Sequence, residues 1–373
     1  MKTKATSLIT IIILIASTIM LAFSGYLGIQ ITRLCLYVIV FCILVELLFI
    51  KFTIFQFVCL SVMVVFSFIT YYLYGGNYAN TLIFLTSVVF AIHAQNCGFE
   101  PVVWTSLKLC TYVVLLSYIA IYFFTPRWSA LGQLMLFFEN PNMAGIACCA
   151  PVVMQFLIAI ENYKKKYNII NWILVALGVY IVYCTQNRGS FIVLIMIATV
   201  SLLALMPQGG IRIHSKMLFN ILRIMPIIVP IFYVILFEYL PHNIMILGKP
   251  LFSGREYSWA LAIKTLLANP FAHQTFEEGT LNLLLEGIVR YGIVAMIAFF
   301  VFLFSIQKED ITSCNVVQYV AYTAFFICLF QQCFESTMIT GSYSVYIWTY
   351  SLLGVAYMQE KPCALTTVGG VSS

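Results

Sequence analysis

The chain reads as an all-α membrane protein: a polytopic helix bundle with about 12 transmembrane helices and one long extracytoplasmic loop. Three observations predict this. The first is composition: of 373 residues, 62% are hydrophobic and 9% charged, against roughly 25% charged in an average soluble domain, and the mean hydropathy is +1.01. The second is pattern: the apolar residues fall in runs of about 20, the length a bilayer core demands of a helix, without the alternation of barrel strands. The third is that Lys and Arg collect between the runs. A soluble enzyme, a disordered chain and a nucleic-acid-binding domain are excluded.

The runs cover residues 7–23, 34–50, 54–74, 81–95, 106–125, 142–160, 169–185, 190–206, 218–237, 291–306, 315–334 and 343–358. The first follows Lys2 and Lys4, as a signal peptide would, but no small-residue cleavage site comes after it, so it stays a helix. Arg33 separates it from the second run, and Lys51 separates the second from the third. Lys108 opens the fifth, and Arg127 follows it. Pro141 starts the sixth and Lys164 to Lys166 end it. The seventh and eighth are joined by a tight turn. Arg212 and Lys216 precede the ninth, Arg290 the tenth and Lys308 the eleventh. With the N-terminus inside, 12 of the 19 basic residues are inner and 7 outer, and four of those seven lie in the long loop. Long loops count little toward orientation, so both termini are expected in the cytoplasm.

The expected organisation is residues 1–237 as nine transmembrane helices, 238–290 as a periplasmic loop, 291–358 as three more helices and 359–373 as a cytoplasmic tail. Within the loop, residues 256–268 place Trp259, Ile263, Leu266 and Leu267 at helical spacing. This predicts an amphipathic helix on or near the outer membrane surface, ended by Asn269-Pro270. The 12 cysteines are read as small core residues; a bridge between Cys184 and Cys333 has no support from the sequence. No internal repeat and no matched pair of broken helices is visible.

Missing motifs narrow the chemistry. There is no phosphate-binding Gly-rich loop with Lys-Ser/Thr, no His-Glu-x-x-His and no Cys-x-x-Cys. The chain holds a single Asp, Asp310, on the inner side. A metal–nucleotide site built on paired Asp residues is therefore not expected, nor is any cofactor. Carboxylates within the spans are scarce, with Glu46 the main one, which argues against a proton-coupled pump. The outer face instead offers arginine. Five of its seven basic residues are Arg, whereas ten of the inner twelve are Lys. Positive-inside topology explains inner Lys but works against outer Arg. A planar, permanently charged fork suits phosphate oxygens, so an anionic ligand at the outer face is expected, with snorkelling to lipid phosphate the alternative.

Three segments stand out. Glu139-Asn140-Pro141-Asn142-Met143-Ala144-Gly145 opens the sixth span, where an Asn cap and a first-turn Pro also account for much of it by local structure. Thr185-Gln186-Asn187-Arg188-Gly189-Ser190 is the tight outer turn, which needs Asn and Gly but not Arg. Gly254-Arg255-Glu256-Tyr257-Ser258-Trp259 opens the amphipathic helix and precedes Gly279-Thr280-Leu281-Asn282.

In this order the segments resemble the O-antigen ligase and O-antigen polymerase superfamily of bacterial envelope polysaccharide assembly, over roughly residues 130–305. The resemblance implies metal-independent glycosyl transfer, without a cofactor, at the periplasmic face of the bacterial inner membrane. The donor would be a polyprenyl-diphosphate-linked oligosaccharide. It carries Arg188 onto the family's turn Arg and Arg255 onto its loop Arg. The family's His-Asn falls on Leu281-Asn282, and the missing His favours a polymerase of O-antigen or related surface polysaccharide over a ligase acting on lipid A core. His273, Glu277 and Glu278 are then the candidate proton acceptors beside the two arginines. Asn140, Asn142, Asn187, Trp259, Asn282 and Arg290 are candidate substrate contacts. Two adjacent exposed glutamates also read as solvated surface. Membrane lipids, a flippase and a chain-length regulator are the expected partners, with no nucleic acid. The competing class is a transporter of lipid-linked sugars, but no long inner loop divides the chain and the basic residues lie at helix ends.

Overall fold

A computed structural model describes residues 2–74, 78–206, 216–246, 249–250, 254–268, 282–308, 311, 314–340 and 344–358. These form an all-α bundle: α1 (Lys2–Glu46), α2 (Ile54–Tyr74), α3 (Tyr78–Cys97), α4 (Pro101–Phe124), α5 (Pro141–Glu161), α6 (Asn168–Thr185), α7 (Arg188–Ala204), α8 (Lys216–Tyr239), α9 (Arg255–Ala268), α10 (Leu283–Tyr291), α11 (Ile293–Ser305), α12 (Val316–Gln331) and α13 (Val345–Ala356). A two-residue antiparallel pairing, Met245–Ile246 with Lys249–Pro250, is the only strand structure among them. Seven helices among the described residues are long and apolar enough to cross a membrane, and four shorter ones are also apolar. Many large side chains on α2, α4, α6 and α8 point outward, among them Phe55, Phe57, Leu109, Phe123, Ile169, Ile173 and Phe232. Water would not tolerate so much exposed apolar surface. The chain is a multi-pass membrane protein.

α1 is two arms rather than one rod. Thr10 Oγ1 donates to Glu46 Oε1 at 2.8 Å, although 36 residues of straight helix would span about 54 Å. The reversal is at Gly28, where φ is +74°, a conformation that strains a residue bearing a Cβ. The arms match the first two apolar runs. The first arm runs parallel to α4: Ser7 bonds Glu100 at one end, the Tyr118 hydroxyl donates to the Leu21 carbonyl midway, and Tyr26 meets Thr125 at the other end.

α5 and α13 form the centre. Every residue of α5 from Ala144 to Ile160 is buried, and so is every residue of α13. α5 contacts α4, α6, α7, α12 and α13. Its small residues let neighbours approach closely, as membrane helices require. The polar groups buried beside it are linked in a chain: Tyr112 and Gln155 both donate to Asn171 Oδ1, Asn171 donates to Asn168, and Asn168 to the Ala159 carbonyl.

The two ends of the bundle carry different basic residues. At one end Lys108 pairs with Glu161 at 3.0 Å, and Lys164 and Lys165 border a cavity with Trp104, Glu161 and Met358. Lys51 and Lys308 are bonded there too, through Asn96 and Ala356. At the other end lie Arg127, Arg188 and Arg255.

The segment between α8 and α11 departs from the sequence expectation in two respects. The amphipathic helix forms, as α9, but it docks on protein. Trp259 and Ala262 are fully buried, and Ile263 and Leu266 pack with them against Tyr233, Val234, Leu285 and Phe334. Only Leu267 of the four expected apolar positions faces outward. Beyond it a second helix, α10, carries the chain from the α8–α12 side to α2 and α3, where Tyr291 stacks on Phe84 with ring centres 4.3 Å apart. Cys184 and Cys333 are both free thiols.

Candidate active site

The site grows from the arginine end of α12. Gln331, the last residue of this helix, and residues 332–335 after it are a hub that holds the starts of three other helices, and of a fourth through one of them. The Gln331 amide donates to Ser190 Oγ at 2.7 Å, in the first turn of α7. The Gln332 carbonyl accepts from Leu283 N, and the Cys333 carbonyl from Asn282 Nδ2, both at the start of α10. Glu335 Oε1 receives Arg255 Nη2 at 3.2 Å, at the start of α9. The fourth helix, α5, joins through α7.

That junction explains two of the three sequence motifs together. Asn140 caps α5, accepting from Met143 N, and Pro141 takes the first helical position. Asn187 caps α7, accepting from Ser190 N at 2.8 Å, while its amide donates to the Asn142 carbonyl at 3.1 Å. Gln186 completes the tight turn in the left-handed region, at φ +53°. Gly145 lets the turn come this close: a Cβ there would lie 2.4 Å from Asn187 Cβ and 2.7 Å from Thr185 Oγ1.

The turn and cap place Arg188 as the first residue of α7, and Arg255 is the first residue of α9. A cation there opposes the helix dipole, by typically 0.3–1 kcal/mol, so neither position is one that helix stability favours. The two guanidinium groups are near enough to interact electrostatically, with the Tyr233 phenol in the same range of Arg188. Arg255 also lies over the Phe334 ring, 5.9 Å from its centre. The aligned amides of four helix starts add partial positive charge to the two arginines. Against them stands Glu335, 5% exposed. Burial pushes its carboxyl up to about 7, with Arg255 pulling the other way.

The remaining sequence candidates separate. Asn282 is completely buried, and its four hydrogen-bonding positions are filled: Oδ1 accepts from Leu284 N and Leu285 N, and Nδ2 donates to the Pro226 and Cys333 carbonyls. It ties α10 to α8 and the hub. Trp259 is fully enclosed between Tyr233 and Phe334 and anchors α9. Arg290 pairs with Glu286 one turn away on α10. His273, Glu277 and Glu278 lie outside the described residues. Glu335, which the sequence reading did not single out, is brought in by the fold. Among the described residues no cluster of His, Cys, Asp or Glu is arranged to hold a metal ion.

No family model, no curated protein and no solved structure matches the chain.

Proposed function

We propose that the protein is a glycosyltransferase of the O-antigen polymerase type. In this reading it joins polyprenyl-diphosphate-linked oligosaccharide units at the periplasmic face of the bacterial inner membrane. The observation that carries the proposal is the convergence of Arg188 and Arg255, 67 positions apart in sequence, at one end of the bundle among four helix N-termini. Such an array attracts a diphosphate and stabilises the charge that builds on it as the glycosidic bond breaks. The segregation of Lys51, Lys108, Lys164, Lys165 and Lys308 to the opposite end supports a cytoplasmic face there. Counting both arms of α1, with α2 to α8 and α11 to α13, gives twelve crossings, with α9 and α10 at the periplasmic end and both termini in the cytoplasm. The donor's polyprenyl chain then lies in the bilayer beside the bundle, with its diphosphate at the arginine end.

The test is the surface-polysaccharide ladder in cells whose only copy carries Arg188→Ala, Arg188→Lys, Arg255→Ala or Arg255→Lys, with membrane levels of the protein measured in parallel. Loss of one transition-state donor typically costs about 3–4 kcal/mol, or on the order of a hundredfold to a thousandfold in rate. The Ala variants therefore accumulate single repeat units. Lys restores little, since an ammonium cannot reproduce a two-pronged contact. Normal long-chain ladders in both Ala variants refute the reading.

A further inference from the structure

We propose that Glu335 is the proton acceptor of the transfer reaction, an inference that rests on the glycosyl-transfer reading above. The geometry that points to it is the ion pair with Arg255 at 3.2 Å, made by a carboxylate that stands at the junction of α7, α9, α10 and α12. Arg255 engages Oε1, and Oε2 takes no part in that bond. The bond to Arg255 sets the carboxylate beside any diphosphate that Arg255 holds. In the step, the acceptor hydroxyl oxygen bonds to the donor's anomeric carbon. The bond from that carbon to the diphosphate oxygen breaks, and its electron pair leaves on the diphosphate. The hydroxyl proton passes to Glu335. No further reactant is consumed, and the proton returns to water when the product departs.

The local electrostatics suit this role. A base works best when its pKa lies near the working pH, and the Glu335 carboxyl is pushed up to about 7 by burial. Arg255 of α9 is the charged group that faces it; Arg188 of α7 is in electrostatic range of Arg255 and of Tyr233 of α8. On its own segment, burial raises the Cys333 thiol far above neutrality, so Cys333 does not titrate alongside it. Because the folded pKa is raised, the ionised, basic form of Glu335 is lost as pH falls through about 7 and gained as it rises.

The experiment follows repeat-unit joining in permeabilised cells that hold their own lipid-linked oligosaccharide, from pH 5.5 to 8.5, using the full chain. The wild-type rate is expected to rise with pH through about 7. Glu335→Gln keeps the side chain's shape and its bond to Arg255 but cannot accept the proton. Its rate is expected to fall by roughly a hundredfold to ten-thousandfold, with the pH dependence abolished and the protein level unchanged. Glu335→Asp is expected to retain part of the rate and the rising profile. A flat wild-type profile overturns the inference without reference to any variant. So does a Glu335→Gln protein with wild-type rate and profile. If that result comes with inactive Arg188→Ala and Arg255→Ala proteins, the glycosyl-transfer reading stands and only the assignment of Glu335 falls. If the arginine variants are fully active, the reading itself falls.

Discussion

Gly145 offers a way to disturb the site without touching a charged group. A Cβ at this position would sit 2.4 Å from Asn187 Cβ and 2.7 Å from Thr185 Oγ1, where carbon atoms in contact normally keep about 3.5–4.0 Å apart. Gly145→Ala therefore forces α5 and the α6–α7 turn apart by about 1 Å. Overpacking of this kind costs about 1–3 kcal/mol. Ala gains about 1 kcal/mol over Gly in helix propensity, so the net loss of stability is small. The displacement matters more, because the turn carries Arg188, and a 1 Å misplacement can cost on the order of a hundredfold in rate. The expected outcome is a protein that inserts and melts within a few degrees of wild type in detergent, yet makes mainly short chains. Gly145→Val exaggerates both effects. Gly189→Ala is the control: it lies in the same turn, but its Cβ would meet only Asn187 Oδ1, at an ordinary 3.6 Å. A Gly145→Ala protein with wild-type ladders, or equal damage from Gly189→Ala, would refute the argument that close approach at Gly145 positions Arg188.

Three other predictions address the fold. On a Cys-free background, Tyr257→Cys, 67% exposed on α9, should react with a membrane-impermeant thiol reagent added to the periplasm. Lys164→Cys should react only after the inner membrane is opened, and the reverse pattern would invert the topology. The reversal of α1 at Gly28 predicts that Thr10→Cys and Glu46→Cys together are joined by a short, membrane-permeant bifunctional thiol reagent, the Glu46 side chain reaching too far for its Cβ to suit a direct disulfide; failure of that pair to cross-link while each thiol is reactive would contradict the two-arm structure. Asn282→Ala should lower detergent-state stability by about 2–4 kcal/mol, combining a lost N-cap with the buried Pro226 and Cys333 carbonyls it leaves unbonded. Asn282→Asp keeps the cap but sets an oxygen where the amide donates to the Pro226 and Cys333 carbonyls, so it should not raise the melting temperature above that of Asn282→Ala.

Much of the fold was legible because a bilayer imposes a simple length rule on apolar runs, and the arms of α1, α5 to α8 and α11 to α13 lie close to the runs read from sequence. α10 was not legible. It is short, and its charges Glu286 and Arg290 neutralise each other only in the folded helix, so in sequence they read as loop. Asn140 and Asn187 could be read as caps, but nothing local showed that Asn187 reaches the Asn142 carbonyl, since that bond depends on how α5 packs on α7. Glu335 was hidden for a related reason. It is 80 positions from its partner Arg255 and belongs to no motif. The signal available was the polar cluster Gln331-Gln332 and Glu335-Ser336-Thr337 at the arginine end of an apolar span, an expensive composition unless the groups find partners.

The enclosure of α13 has a consequence for how the molecule is made. Every other described helix is made before it, yet α13 is the piece that α3, α5, α12 and the first arm of α1 close around. Until it is synthesised, the faces of those helices meant for one another border lipid or the insertion machinery instead. A ribosome stalled before residue 345 thus leaves a ring of inserted helices with nothing at the middle, a natural substrate for membrane quality-control proteases. Maturation of the arginine end is coupled to synthesis of α13 through α12, whose last residue opens the hub and whose flank rests on α13.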